Sequence, residues 1–328
     1  MLVQGYSERM TTTKDRHATG IGSALASALF LGLTPIFGKQ AISLGFSPLA
    51  VVALRTSMAA GFLLFLVAFF RRSYLYIYPA GLLGCGLAGA INGIGSILYY
   101  LALQRLSASV GQLLYSLYPV FVATWLILDR QPLSRLTYLR MGIALIGIVL
   151  LTAVTPSGTD WLGVAFMLGA SILYALHLPI NQRVLYDIPA PTVTLYTLLA
   201  MSVVVVPAYL IFDPHLPPAG ISWQPLLALT LVTFLSRLTL FTGVKHLGGM
   251  QTALLGLSEL FVTITIGHLW LGENLHWIQW LGASLLGASL VLIGFERITP
   301  ERRRARGGWL SWIHSSEVPP NIPWGPHD

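Results

Sequence analysis

Three ionisable side chains stand inside long apolar runs of this chain: Arg55, Arg237 and Glu259. A charge at such depth costs about 2.5–3.5 kcal/mol on insertion scales, so it faces a bundle interior or a wet cavity and meets a partner there. Arg55 lies roughly 12 Å of helix rise into its run, and Arg237 and Glu259 sit near the middle of theirs. An arginine so placed can hold a carboxylate or phosphate. A glutamate can bind a proton or balance a cationic group. The same residues can also make a buried ion pair, Glu259 with Arg237 or Arg55, that fixes helix packing. The sequence leaves both readings open.

Polar and aromatic residues surround these charges at helical spacing. Gln112, Tyr115, Ser116 and Pro119 share one face at intervals of three, four and seven, and Gln251, Glu259 and Thr263 share another at eight and twelve. Such faces can line a solute pathway or serve interhelical hydrogen bonding. Pro35, Pro119 and Pro179 interrupt or bend their runs, and the carbonyls they free need a cavity or a partner. Asn92, in the glycine-rich run 81–95, is suited to bonding across helices. Tyr99 and Tyr100 read as interfacial belt residues, with Trp161, Trp277 and Trp280. His177 and His268 read as satisfied core residues, since neither has a second ligand at metal-site spacing. No zinc, phosphate-loop or nucleophile-elbow motif is present.

The elements that must position these residues are membrane helices. Of 328 residues 55% are hydrophobic and 9% charged, with mean hydropathy +0.72, which excludes an ordinary soluble domain. Apolar runs predict spans at 20–40, 47–70, 79–103, 107–128, 136–154, 161–182, 190–212, 225–245, 249–271 and 275–295. The net charge of +7 arises between and after these runs, not on a polar face suited to nucleic acid. With Arg71, Arg72, Arg130, Arg135, Arg140, Arg183 and Lys245 on one side and only Lys39 and Arg105 on the other, both termini are expected in the cytoplasm. The lone Cys85 rules out an intrachain disulfide.

The second half repeats the first at an offset of about 140 residues. Phe30, Pro35, Ile36 and Lys39 match Tyr174, Pro179, Ile180 and Arg183. Residues 100–114 match 241–255, and Gly142 and Gly147 match Gly282 and Gly287. Five helices per unit is odd, so the units are expected to insert in opposite senses. Inverted repeats are characteristic of secondary transporters with a midplane site.

This pattern resembles the drug/metabolite transporter superfamily, in its ten-helix branch of paired EamA-like domains. The resemblance is carried by Ser47-Pro48 leading to Arg55, the stretch Ala102 to Ser109, Ser116-Leu117-Tyr118-Pro119-Val120, Leu257-Ser258-Glu259, and Leu271-Gly272-Glu273. Two departures stand out. Asp129-Arg130-Gln131-Pro132 occupies the place of a usual Gly-Glu pair, and Leu260 follows Glu259 where proline is usual. The resemblance implies a superfamily that exports amino acids and other metabolites, exchanges sugar phosphates or nucleotide sugars, or moves lipid-linked sugars. It also implies a central cavity ringed by the first four helices of each repeat.

The expected fold is therefore an all-α integral membrane protein of about ten transmembrane helices in two inverted five-helix repeats. Residues 1–19 form an N-terminal cytoplasmic segment, 20–154 and 161–297 the repeats, and 298–328 a basic, disordered cytoplasmic tail. The expected function is secondary transport of a small metabolite or drug-like solute across the cell membrane, with amino-acid or organic-anion export first. The cavity set is Arg55, Arg237, Glu259, Gln112, Tyr115, Ser116 and Gln251. No catalytic residue, metal or cofactor is expected. The solute and the bilayer are the partners, with protons one option for coupling, and the oligomeric state is left open. A lipid-linked sugar translocase and a non-transport membrane scaffold or enzyme are the alternatives.

Overall fold

The computed structural model describes residues 2–106, 108–131, 133–152, 160–215, 220–271, 277–292 and 308–310. Ser107, Pro132, Gly272, Glu273, the side chains of Ser109 and His268, and the tail apart from 308–310 lie outside the described residues. The described chain is helical: α1 (Leu2–Ser43), α2 (Pro48–Phe70), α3 (Pro79–Arg105), α4 (Ala108–Tyr115), α5 (Tyr118–Leu128), α6 (Arg135–Thr152), α7 (Trp161–Leu185), α8 (Ala190–Phe212), α9 (Gln224–Leu247), α10 (Gly249–Gly256), α11 (Glu259–Leu271) and α12 (Trp277–Val291). Among the described residues, seven segments are long and apolar enough to cross a membrane: α1 from His17, α2, α3, α4 with α5 over Val110–Leu128, α7, α8 and α9.

Local chemistry sets the helix starts. Ser47 caps α2, accepting from Ala50 N at 3.1 Å, and Pro48 occupies the first turn, where a missing N–H costs nothing. Asp160 caps α7, accepting from Leu162 N and Gly163 N at 2.9 and 3.1 Å. The Arg105 guanidinium bonded to Asp160, followed by the Gly163 amide, holds this carboxyl below the usual carboxylate range. A depressed folded-state value means the contribution of this cap is complete above the ordinary aspartate titration. It fades as pH falls through the lower value.

Large apolar side chains point outward, including Phe65, Phe69 and Phe70 on α2 and Val203, Ile211 and Phe212 on α8. Bands of this kind are stable only against lipid.

The packing follows a two-fold pattern. α1 lies on α9 as α3 lies on α7; α5 touches α7 as α11 touches α1; α2 meets α8, and α6 meets α12. Matched elements of the two halves thus exchange roles. Glycines of the run 81–95 allow α3 and α8 to approach closely: a Cβ on Gly89 would stand 2.5 Å from the Thr197 carbonyl and 2.6 Å from the Ala200 Cβ. Both are backbone-fixed atoms, so Gly89→Leu is expected to destabilise the bundle by about 1–3 kcal/mol. Thermal denaturation in detergent reads this as a lowered midpoint, and an unchanged midpoint would mean that α3 and α8 do not pack so closely.

The bundle has two polar ends. At one, Lys39 Nζ donates to the carbonyls of Leu103 and Leu106 at 2.8 and 2.9 Å, closing the C-terminus of α3, and Arg105 pairs with Asp160 at 2.9 Å. At the other, Arg183 holds Asp129 through Nε and Nη2 at 3.2 and 2.7 Å, and Gln182 Oε1 accepts from Gly249 N at 2.8 Å. Arg130, in the stretch 129–132, takes a left-handed φ of 57°.

Candidate functional site

Two helices are broken at matched positions. α4 stops at Tyr115 and α5 starts at Tyr118; α10 stops at Gly256 and α11 starts at Glu259. Pro119 explains the first break, because it cannot donate to the Tyr115 carbonyl. Ser171 Oγ of α7 takes that carbonyl at 2.9 Å. The second break has no proline. There Leu257 N bonds the Leu254 carbonyl, and the Ala253 carbonyl is taken by Tyr118 Oη at 3.0 Å. Hydroxyls of the opposite half therefore satisfy both freed carbonyls. Pro35 and Pro179, matched in the repeat and expected to interrupt or bend their helices, do not break them, since α1 and α7 run through both prolines; of the three prolines only Pro119 stands at a break.

Beside the breaks lies a cavity with ≈ 500 Å³ of space not filled by atoms, part of it open to solvent. It brings Arg55, Arg237, Glu259, Gln112 and Tyr115 together with Thr34, Asn92, Ser96, Tyr99, Tyr174 and Ser236. The three charged residues are at most 5% exposed. Arg55 Nη1 donates to Thr233 Oγ1 at 2.9 Å, and its guanidinium lies 4.9 Å from the centre of the Tyr100 ring. Arg237 Nη2 donates to Asn92 Oδ1 at 3.4 Å, its Nη1 meets His177 Nε2 at 3.3 Å, and its guanidinium lies 5.6 Å from the Tyr174 ring centre. The Tyr174 carbonyl can only accept, so His177 Nδ1, bonded to it, carries the proton. Nε2 is then the acceptor for Arg237.

Glu259 opens α11, where a negative charge is favoured by the helix dipole. Gln112 reaches it with its amide, whose oxygen accepts from Tyr99 Oη at 3.3 Å. Among the described residues Glu259 Oε1 and Arg55 Nε have no hydrogen-bond partner. Neither arginine lies within salt-bridge distance, 4.0 Å, of Glu259. The three charges thus face one space without neutralising one another in a direct pair.

Two of the expected cavity residues are placed elsewhere. Gln251 lies against α6, its Oε1 accepting from Arg140 Nη1 at 2.5 Å and its Nε2 donating to Thr137 Oγ1 at 3.4 Å. Ser116 is buried at the break, its Oγ donating to the Gln112 carbonyl at 2.7 Å. Conversely, Tyr99 and Tyr100 are not belt residues. They are buried, and Tyr99 stacks edge-on against Tyr115 at 5.1 Å. Trp161, Trp277 and Trp280 are exposed, as a belt requires. Asn92, expected to bond across helices, and His177, expected to be a satisfied core residue, are the partners of Arg237. The only sequence signal for Asn92 is that it is the sole amide in a glycine-rich run, and His177 carries no signal beyond its depth in a span.

An apolar helical bundle with broken helices beside a buried, charged cavity defines a multi-pass membrane transporter. The family model of the EamA-like transporter family matches residues 18–153 and again 161–295, and the chain belongs to that family. An uncharacterized transporter of Synechocystis sp. is 26% identical over 233 residues, 66% of this chain and 67% of that protein. An uncharacterized transporter of Archaeoglobus fulgidus is 24% identical over 195 residues, 59% of this chain and 70% of that one. A solved crystal structure shares the fold at TM-score 0.68 with 14% identity, covering 86% of this chain and 97% of the other.

Proposed function

We propose that the protein is a secondary transporter that moves a small solute with an anionic group, of the amino-acid or organic-anion class, by alternating access. The observation that carries the reading is the shared cavity of Arg55, Arg237 and Glu259, in which no arginine is paired with the glutamate. An arginine fork held only by neutral partners keeps its charge for a carboxylate or phosphate. The tyrosine wall can cover an apolar or planar part of the solute. Glu259 serves as the proton site or as counter-charge to a cationic group.

The architecture that goes with this reading has ten spans in two inverted five-helix units, 20–154 and 161–297, in the cell membrane. The exchanged packing of matched helices and the two family matches support it. α6, α10 with α11, and α12 supply the spans beyond the seven long ones. Both termini face the cytoplasm, because Arg71, Arg72, Arg183 and Lys245 gather toward the Asp129 end.

The test is release of a mixed metabolite extract loaded into proteoliposomes, read by mass spectrometry with and without a pH gradient, against empty liposomes. Selective loss of acidic or zwitterionic solutes is expected. Selective loss of lipid-linked sugars alone, or no loss from folded protein, would overturn the reading.

A further inference from the structure

We infer that Gly308–Leu310 is a latch that holds the Asp129 end of the pathway closed; the inference rests on the transport reading above. Asp129 is fully buried at the C-terminus of α5, roughly 16 Å of helix rise from the break at Tyr118 beside the cavity. Its carboxylate ties three parts of the chain together. Oδ2 receives Arg183 of α7 at 2.7 and 3.2 Å and Gln131 Nε2 at 2.8 Å, while Oδ1 receives the backbone N–H of Leu310 at 3.0 Å.

The segment is fitted to this place. The Leu310 side chain is 0% exposed and belongs to the same core cluster as Val122 and Leu126 of α5. Trp309 lies against Trp125, ring centres 6.2 Å apart. Gly308 has φ +97°, and a Cβ there would stand 2.3 Å from both the carbonyl oxygen and Oδ1 of Asp129. Conformation and space each demand glycine at this one position.

Opening the cavity toward this end requires α5 of the first half to part from α7 and α10 of the second. The contacts that hold α5 against the second half on this side are Tyr118 to the Ala253 carbonyl, beside the break, and Arg183 to Asp129, at the far end of α5. Leu310 adds its bond to the last of these. A contact made in the closed state and lost in the open one shifts the population toward closure. The described part of the tail, residues 308–310, is thus a clamp on the bundle; the basic residues of the tail lie outside the described residues.

The test places a reporter thiol at Ala253→Cys, one layer inside the closing pair, with the native buried Cys85 changed to serine. Labelling by a bulky maleimide in lipid nanodiscs is compared among the full chain, a chain ending at residue 307, and the Gly308→Val variant. Both altered forms are expected to label about tenfold faster, the size of one lost charge-assisted hydrogen bond, and to move solute faster with unchanged preference. Equal labelling in the three forms would overturn the latch. If the shortened chain fails to fold, Gly308→Val decides alone. Faster labelling with no solute movement keeps the closing contact and removes the transport reading. Solute movement by the full chain with equal labelling does the reverse.

Discussion

Arg237→Ala is expected to abolish selective movement of acidic solutes in proteoliposomes while Arg237→Lys retains only part of it. Truncating one partner of a buried, hydrogen-bonded charge pair costs about 2–5 kcal/mol, roughly 30-fold or more in affinity. Asn92 Oδ1 and His177 Nε2 aim the guanidinium, and Tyr174 lies beside it, so the fork is presented in one orientation. Lysine keeps the charge but cannot reach both acceptors as a planar fork does. The readout is the apparent affinity for each solute that the unaltered protein moves. Identical affinities in a folded Arg237→Ala protein would remove Arg237 from the site.

Glu259→Gln is expected to leave the protein folded and to uncouple transport from a pH gradient. Glutamine keeps the size of the side chain and its contact with Gln112, and forgoes only the favourable charge at the start of α11, about 0.3–1 kcal/mol. A neutral side chain can no longer alternate between protonated and ionised forms, so uphill movement driven by a proton gradient should fall by about tenfold or more. If Glu259 instead balances a cationic group, zwitterionic solutes lose affinity and simple anions do not. Comparing glutamate-like anions with zwitterions, each with and without the gradient, separates these roles. Unchanged transport of both across pH would take Glu259 out of the mechanism.

The spacing of charge and proline in the chain already marked much of this site. Arg55, Arg237 and Glu259 stood out because ionisable groups are costly in hydrocarbon, and Gln112 and Tyr115 because three-residue spacing keeps them on one face. Gln251 met the same spacing rule and is nevertheless turned to Arg140 of α6. Helical periodicity fixes which residues share a face. It does not fix which neighbour that face meets. The break at Leu257-Ser258 was hidden for a related reason: no proline forces it, and the Ala253 carbonyl it frees is taken by Tyr118 from the other half.

What the sequence determined by itself is the solvent and the plan. Bilayer-length apolar runs, basic residues between them and an offset of about 140 residues specify a repeated helical membrane protein through local rules alone. The tertiary structure decided the pairings. Asn92 and His177 became supports of Arg237, Tyr99 became cavity wall, and Asp129 became the anion on which Arg183 and Leu310 converge. Those outcomes depend on how helices from distant parts of the chain meet, a property of side-chain packing between elements and not of any single segment.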